Sequence, residues 1–176
     1  MGNELKTAED GPPSGHGDLA GKYLTFELGT EIYGLEILKV QEIIGIMSIT
    51  NVPKTPDYVR GVINLRGKVI PVVELRKKFS MPTMPDTERT CIIVVQIQGR
   101  DVSITMGILV DEVSEVVDIA SDRIEAAPTF GTGVNTAFIM AMGKIGERVV
   151  ILLDADKVLT IEDIEDIEVL EGAARE

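Results

Sequence analysis

The most constraining stretch of this sequence runs from Arg60 to Leu75 and reads Arg-Gly-Val-Ile-Asn-Leu-Arg-Gly-Lys-Val-Ile-Pro-Val-Val-Glu-Leu. Two β-rich runs flank the corner Arg66-Gly67-Lys68. Gly67 takes a positive φ without steric cost, so the corner reads as a tight hairpin turn. The apolar residues after it are nearly continuous, the pattern of a strand buried on both faces. Pro71 has no backbone donor and is expected at a sheet edge or a bulge. Such a hairpin would hold Arg66 at its tip, beside a rigid core. Arg66 then has two readings: a solvated charge, or a side chain presented to a partner.

Around this hairpin the pattern stays mostly β. Tyr23–Leu28 alternates, Gly29-Thr30 turns the chain, and Ile32–Leu35 continues it, which predicts an opening hairpin. Ile37, Val40 and Ile44 fall at helical spacing and predict a short helix ended by Gly45. Ile46–Val52 returns to β character, and Pro53 and Pro56 mark a loop. Glu74–Phe79 predicts another short helix, with Arg76, Lys77 and Lys78 exposed. Ser80–Thr90 holds Pro82 and Pro85 without periodicity and reads as a connector.

The second half repeats the first in pattern. Cys91–Gln98 and Val102–Val110 match the opening hairpin. Leu109–Val113 parallels Leu38–Ile43, and Ile124–Pro128 parallels Ile49–Pro53. Phe138–Leu153 parallels the Arg60 hairpin, and Asp154–Leu159 parallels Glu74–Phe79. A period of about 75 residues is too long for a solenoid and predicts two similar β-barrels of roughly five strands each. The 176 residues suffice for that, and Val, Ile, Leu and Met must fill the cores because Trp is absent.

The ends read differently. Residues 1 to about 20 are rich in Gly, Pro, Ser and charge, and are expected to form a flexible tail. Thr129–Asn135 is expected to be a mobile loop. Thr160-Ile161-Glu162-Asp163 resembles a capping box and predicts an acidic C-terminal helix over 160–176. Its apolar residues Ile161, Ile164, Ile167 and Leu170 recur every three positions, so the stripe drifts around the helix.

Little here suggests chemistry. The only histidine, His16, lies in the tail, so no Ser-His-Asp set is available. The best carboxylate pairs are Asp154-x-Asp156 and Asp111-Glu112. They read as a turn cap and a solvated surface, because no His or Cys joins them. Gly131-x-Gly133 is too short for a dinucleotide fingerprint. The single cysteine, Cys91, has no internal disulfide partner and reads as a small buried hydrophobe. No catalytic, cofactor-binding or metal-binding residue is therefore expected, and the chain is expected not to be an enzyme.

Charge narrows the partners. A net charge of −12 argues against nucleic acid and against anionic lipid. Apolar runs reach only about five residues, against the ~20 of a spanning helix, and Met1–Ala20 has no apolar signal core. A soluble protein is expected, brought to any membrane by another protein. From Lys54 to Lys78, seven basic residues face two acidic ones; from Asp154 onward, nine acidic residues face two basic ones. The basic stretch reads either as a patch that steers a partner or as ordinary solvation.

The Arg60–Leu75 stretch, extended to Arg76, also resembles the signature of the CheW family of bacterial chemotaxis coupling proteins. The resemblance continues in Tyr33–Ile43, Asn51-Val52-Pro53 and Gly107–Val113, and covers roughly Lys22 to Leu159. It departs at Glu74, where the family often has Asp. The resemblance implies a mostly β fold of two similar SH3-like five-stranded barrels, with short helices and a C-terminal helix. The implied organisation is a tail at 1–20, a CheW-like domain at 21–159 and an acidic helix at 160–176. Within the domain, subdomain 1 is expected at about 32–84 and subdomain 2 at about 85–159, with room for strand exchange at the ends.

The implied function is a non-enzymatic adaptor that couples transmembrane chemoreceptors to the histidine kinase CheA. Its partners would be the CheA regulatory domain and the cytoplasmic tip of methyl-accepting chemoreceptors. Its location would be cytoplasmic, at membrane receptor arrays, without direct membrane insertion. Receptor-binding positions carry over onto Val40, Glu42 and Arg66. If Val40 lies on the buried stripe, its role is core packing instead. The alternative from another class is a small β-barrel that binds a ligand or an oligonucleotide; charge and the lack of surface aromatics argue against the latter. An adaptor fused to a receiver domain is a nearer alternative, and no receiver is expected in this sequence.

Overall fold

The Arg66-Gly67 corner forms as its residues require. Arg66 (φ 53°) and Gly67 (φ 87°) both take positive φ, and the two-residue turn joins β4 (Val59–Leu65) to β5 (Lys68–Glu74). The Asn64 Oδ1 accepts the Gly67 N–H at 2.8 Å and locks the turn. In this computed structural model, residues 19–98, 101, 103–128 and 137–158 are described. The tail before Leu19, the loop at 129–135 and the acidic segment at 160–176 lie outside them.

Before this hairpin come β1 (Gly21–Leu28), β2 (Glu31–Glu36) and β3 (Val40–Gly45). After it come a one-turn helix, α1 (Leu75–Lys78), and the hairpin of β6 (Cys91–Gln98) and β7 (Ser103–Val110). β8 (Glu112–Ile119), β9 (Ile124–Glu125), β10 (Ile139–Ile145) and β11 (Arg148–Leu153) complete the set. They form two sheets. One has five strands in the order β3-β6-β7-β5-β4, and the other has six in the order β8-β1-β2-β11-β10-β9.

The two orders correspond strand for strand, and each half has given away its opening hairpin. β1–β2 lies between β8 and β11 of the second half, while β6–β7 lies between β3 and β5 of the first. The junctions are parallel pairs in both sheets, β2 with β11 and β5 with β7. Sheet membership therefore crosses the boundary near residue 84. The core follows from this weave. A shared cluster between the sheets takes Leu24, Phe26, Leu28 and Leu35 from one and Val73, Ile93, Val95 and Ile108 from the other. The outer faces make two smaller clusters: Tyr23, Ile119, Ala141 and Leu152 in one sheet, Ile63, Ile70, Val72 and Ile92 in the other. Central strands are thus buried on both faces, which explains the near-continuous apolar runs of β5 and β6.

Several expectations change. The stretch from Ile37 to Gly45 is not a helix. Ile37–Lys39 forms a single 3-10 turn, and Val40–Gly45 is a strand paired with β6. Pairing with β6 won over helical spacing because Val40, Ile43 and Ile44 are β-branched and fit a pleated, half-buried surface. Pro71 is not on an edge strand: β5 is interior, and Pro71 sits one residue before the ladder that Val72–Glu74 forms with β7, next to the register shift between Val59 and Gly61 on the facing strand. Ile46–Val52 supplies only one bridge, at Thr50. Leu19, placed in the tail by composition, packs on the fold, and its carbonyl accepts the Tyr23 hydroxyl at 2.6 Å. Burial, with the Glu36 charge second, pushes the Tyr23 phenol up to about 12.

That bridge ties the two edges of the five-stranded sheet. Thr50 N–H and O bond Val62 O and N–H at 2.8 and 2.9 Å, so the chain leaving β3 reaches across to β4. Gly61 makes this approach possible. It has φ 146°, and a Cβ there would lie 2.1 Å from the Thr50 carbonyl oxygen. Gly61→Ala should therefore destabilise by about 2–3 kcal/mol through overpacking against backbone. Gly67→Ala, with open space around it, should cost only about 1 kcal/mol of backbone strain. Urea denaturation of both variants checks the order. We further expect a chain cut after Met84 to show no cooperative melt, because β3 and β5 then lose the hairpin between them. A melt matching the full chain would contradict the interlocking.

Candidate functional site

The turn at Arg66 and the strand β3 lie at opposite ends of the five-stranded sheet order, yet their side chains meet. The Arg66 guanidinium donates to Glu42 Oε1 in an ion pair, which requires the sheet to curl. The Glu42 hydrogen bond and charge raise the Arg66 pKa further. Arg66 is 69% exposed along its side chain and Glu42 31%, so the pair is at the surface. An arginine at positive φ is unusual, since Asn or Gly suits that turn position better. The strained position keeps a long cationic side chain on a rigid corner.

Before and after Glu42 in the chain, large apolar side chains are exposed. Leu38 is 94% exposed, Ile43 42%, Ile46 38% and Met47 36%. Val40 packs in part against the shared core from the start of β3. The structure thus brings Glu42 and Arg66 together and gives Val40 a share in core packing. This surface can bind by apolar contact and charge, and it presents no nucleophile with a base. Among the described residues, no three His, Cys, Asp or Glu side chains cluster as metal ligands. Among the described helices, none is long and apolar enough to cross a membrane.

Part of the basic stretch makes internal contacts. Arg60 bonds Glu74 at 2.9 Å and Asp86 at 2.5 Å, and Lys78 lies 4.6 Å over the Tyr58 ring. Arg76, expected to be exposed, is buried. It grips Asp111 with two bonds, Nε at 2.8 Å and Nη2 at 2.6 Å, and gives a third to Pro82 O at 2.6 Å. Asp111 also accepts the Gly29 N–H at 2.8 Å, so it is not the solvated carboxylate its sequence context suggested. Arg76 and Asp111 are far apart in sequence, and no local pattern signals their pairing. The Asp154 part of the other pair does cap a turn, accepting the Asp156 N–H at 3.0 Å.

The fold defines a class: a mostly β protein whose two halves interlock by exchanging hairpins. The CheW-like domain model matches residues 22–163, and the chain belongs to the CheW-like domain family. It is 40% identical over 149 residues to the chemotaxis protein CheW of Klebsiella aerogenes, covering 84% of this chain and 87% of that one. It is 33% identical over 162 residues to the chemotaxis protein CheW of Bacillus subtilis, covering 92% and 94%. Its fold is similar to that of the scaffolding protein TtCheW from Thermoanaerobacter tengcongensis. The TM-score is 0.72 at 35% identity, over 82% of this chain and 95% of that one.

The Arg76–Asp111 contact makes stability depend on acidity. Burial pushes the Asp111 carboxyl up, but hydrogen bonds from Arg76 and Gly29 and the Arg76 charge outweigh it and hold the carboxyl below its usual value. A depressed carboxyl contributes stability that is fully present above its unfolded value, ~3.9, and is lost as pH falls through the lower folded value. Asp111→Asn should cost about 3 kcal/mol at pH 7, because it leaves Arg76 buried without its counter-ion. It should also flatten the loss of stability below pH ~4. Urea melts from pH 2 to 7 check both.

Proposed function

We propose that this protein is a non-enzymatic adaptor that couples transmembrane chemoreceptors to the histidine kinase CheA in bacterial chemotaxis. The observation that carries this reading is the family match over residues 22–163, to which the curated relatives add the name chemotaxis protein. The cytoplasmic tip of the receptor binds at Val40, Glu42 and Arg66, and the CheA regulatory domain docks on one of the two halves. The protein works in the cytoplasm and reaches the membrane array through these partners.

The site chemistry is compatible with a helical tip as ligand. Exposed apolar side chains on the stretch that carries Glu42, together with an exposed ion pair, suit an amphipathic helix, with the apolar contacts giving affinity and the charges register. Arg66 and Glu42 pair with each other in the free protein, so a receptor must compete for them or extend the pair.

Calorimetric titration against a receptor tip fragment, with thermal melts alongside, tests the assignment. Arg66→Glu should lower affinity about tenfold or more while leaving the melt close to wild type, since its head group packs against no core. Glu42→Arg should act similarly, and the double reversal should recover part of the binding. Unchanged affinity in Arg66→Glu with a normal melt would remove Arg66 from the receptor site. A large drop in melting temperature would make it structural.

A further inference from the structure

Alternate side chains of the five-stranded sheet face the small cluster of Ile63, Ile70, Val72, Ile92 and Val94, with Ile44 at its margin. Followed towards the Arg66 turn, the same faces become polar. Lys68 stands two positions before Ile70, Glu42 two before Ile44, and Gln96 two after Val94. The contacts of these residues close on themselves. Glu42 binds Arg66, and the turn leads from Arg66 to Lys68, the first residue of β5. The Lys68 ammonium donates to the Thr105 hydroxyl at 3.3 Å, and Thr105 pairs with Gln96 across β6 and β7. Gln96 Oε1 accepts the Gln41 side-chain amide at 2.7 Å, next to Glu42. A polar ring thus caps this end of the cluster.

The sign of the ring is opposite to that of the chain. The sequence holds 29 acidic and 17 basic residues, yet Arg66 and Lys68 stand here against the single carboxylate Glu42, and the other members are amides and a hydroxyl. Arg66 takes Glu42. Among the described residues no carboxylate pairs with Lys68, whose partner is the neutral Thr105 hydroxyl. Thr105 is buried and Lys68 is exposed, so the hydroxyl anchors an ammonium that still faces water. An ammonium has further donors to give. The turn that carries both cations is held by the Asn64 bond to the Gly67 N–H, so their backbone is fixed before any ligand arrives.

We propose that this ring is a carboxylate-binding subsite, in which Lys68 receives an acidic side chain of the receptor tip while Arg66 stays with Glu42. A local positive field on an acidic protein steers an acidic group to this end and repels it elsewhere, so Lys68 sets the register of the bound helix. The identity of the partner rests on the adaptor reading, whereas the preference of the ring for a carboxylate does not.

Titration of a receptor tip fragment into the full-length protein, at low and high salt, tests the subsite. Lys68→Gln should weaken binding about threefold to tenfold at low salt, and the difference should shrink at high salt. Lys68→Arg should keep most of the affinity. Replacing the acidic residues of the fragment by Gln, one at a time, should find one whose loss weakens binding to wild type and leaves binding to Lys68→Gln unchanged. If the fragment binds and Lys68→Gln matches wild type, or no acidic residue couples to Lys68, the subsite is overturned and the adaptor reading stands. If no form binds the fragment, the adaptor reading fails, and a tetraglutamate peptide titrated into wild-type protein decides the subsite. At constant ionic strength the NMR signal of the Lys68 ammonium should shift at least about threefold more than that of Lys77, an exposed lysine of α1. Equal shifts would overturn the proposal, and this measurement needs no variant to fold.

Discussion

Each sheet depends on a hairpin supplied by the other half of the chain. β6–β7 separates β3 from β5, and β1–β2 separates β8 from β11. Removing either hairpin strips the central strands from a sheet and leaves two rows of backbone N–H and C=O groups without partners. Each buried unpaired group costs about 1–3 kcal/mol, so a sheet that loses its donated hairpin is costly to maintain. The same hairpins carry Leu24, Phe26, Ile93 and Val95 into the shared core. Hydrogen bonding and apolar burial therefore fail or succeed together. The parallel pairs of β2 with β11 and of β5 with β7 join strands distant in sequence, so the weave closes late in folding.

Local patterns were legible where the cause is local. The Arg66-Gly67 turn, the opening hairpin and the short α1 follow from turn chemistry and alternation. The repeat was legible too, as matching order of hairpin, strand and hairpin. The exchange between halves was not, because periodicity says which face of a strand is buried and nothing about which sheet receives it. The helix expected across Ile37–Ile44 failed for a related reason. Three apolar residues at helical spacing also suit a strand that is buried unevenly, and β6 supplied the pairing that decided it.

For the candidate site, the sequence offers residue types but not their geometry. Glu42 and Arg66 could be named from sequence, but their contact depends on a sheet that curls through the Thr50–Val62 bridge. Arg76 shows the opposite case. A cation in a run of cations reads as solvated, yet its guanidinium is buried against Asp111. The long-range partner decides the role, and sequence distance hides it.

The two ion pairs beside the hairpin tips have opposite polarity. After β5 the chain places a cation, Arg76, against the anion Asp111 that follows β7. After β11 it places an anion, Asp156, against the cation Lys39 that follows β2. A chain that kept its own hairpin in each half would bring Arg76 towards Lys39 and Asp156 towards Asp111. Both encounters are between like charges, one of them beside a buried guanidinium. The latches thus act as a key that tells two nearly equivalent hairpins apart and penalises the unexchanged topology. Apolar packing, which is similar in the two sheets, cannot supply that discrimination.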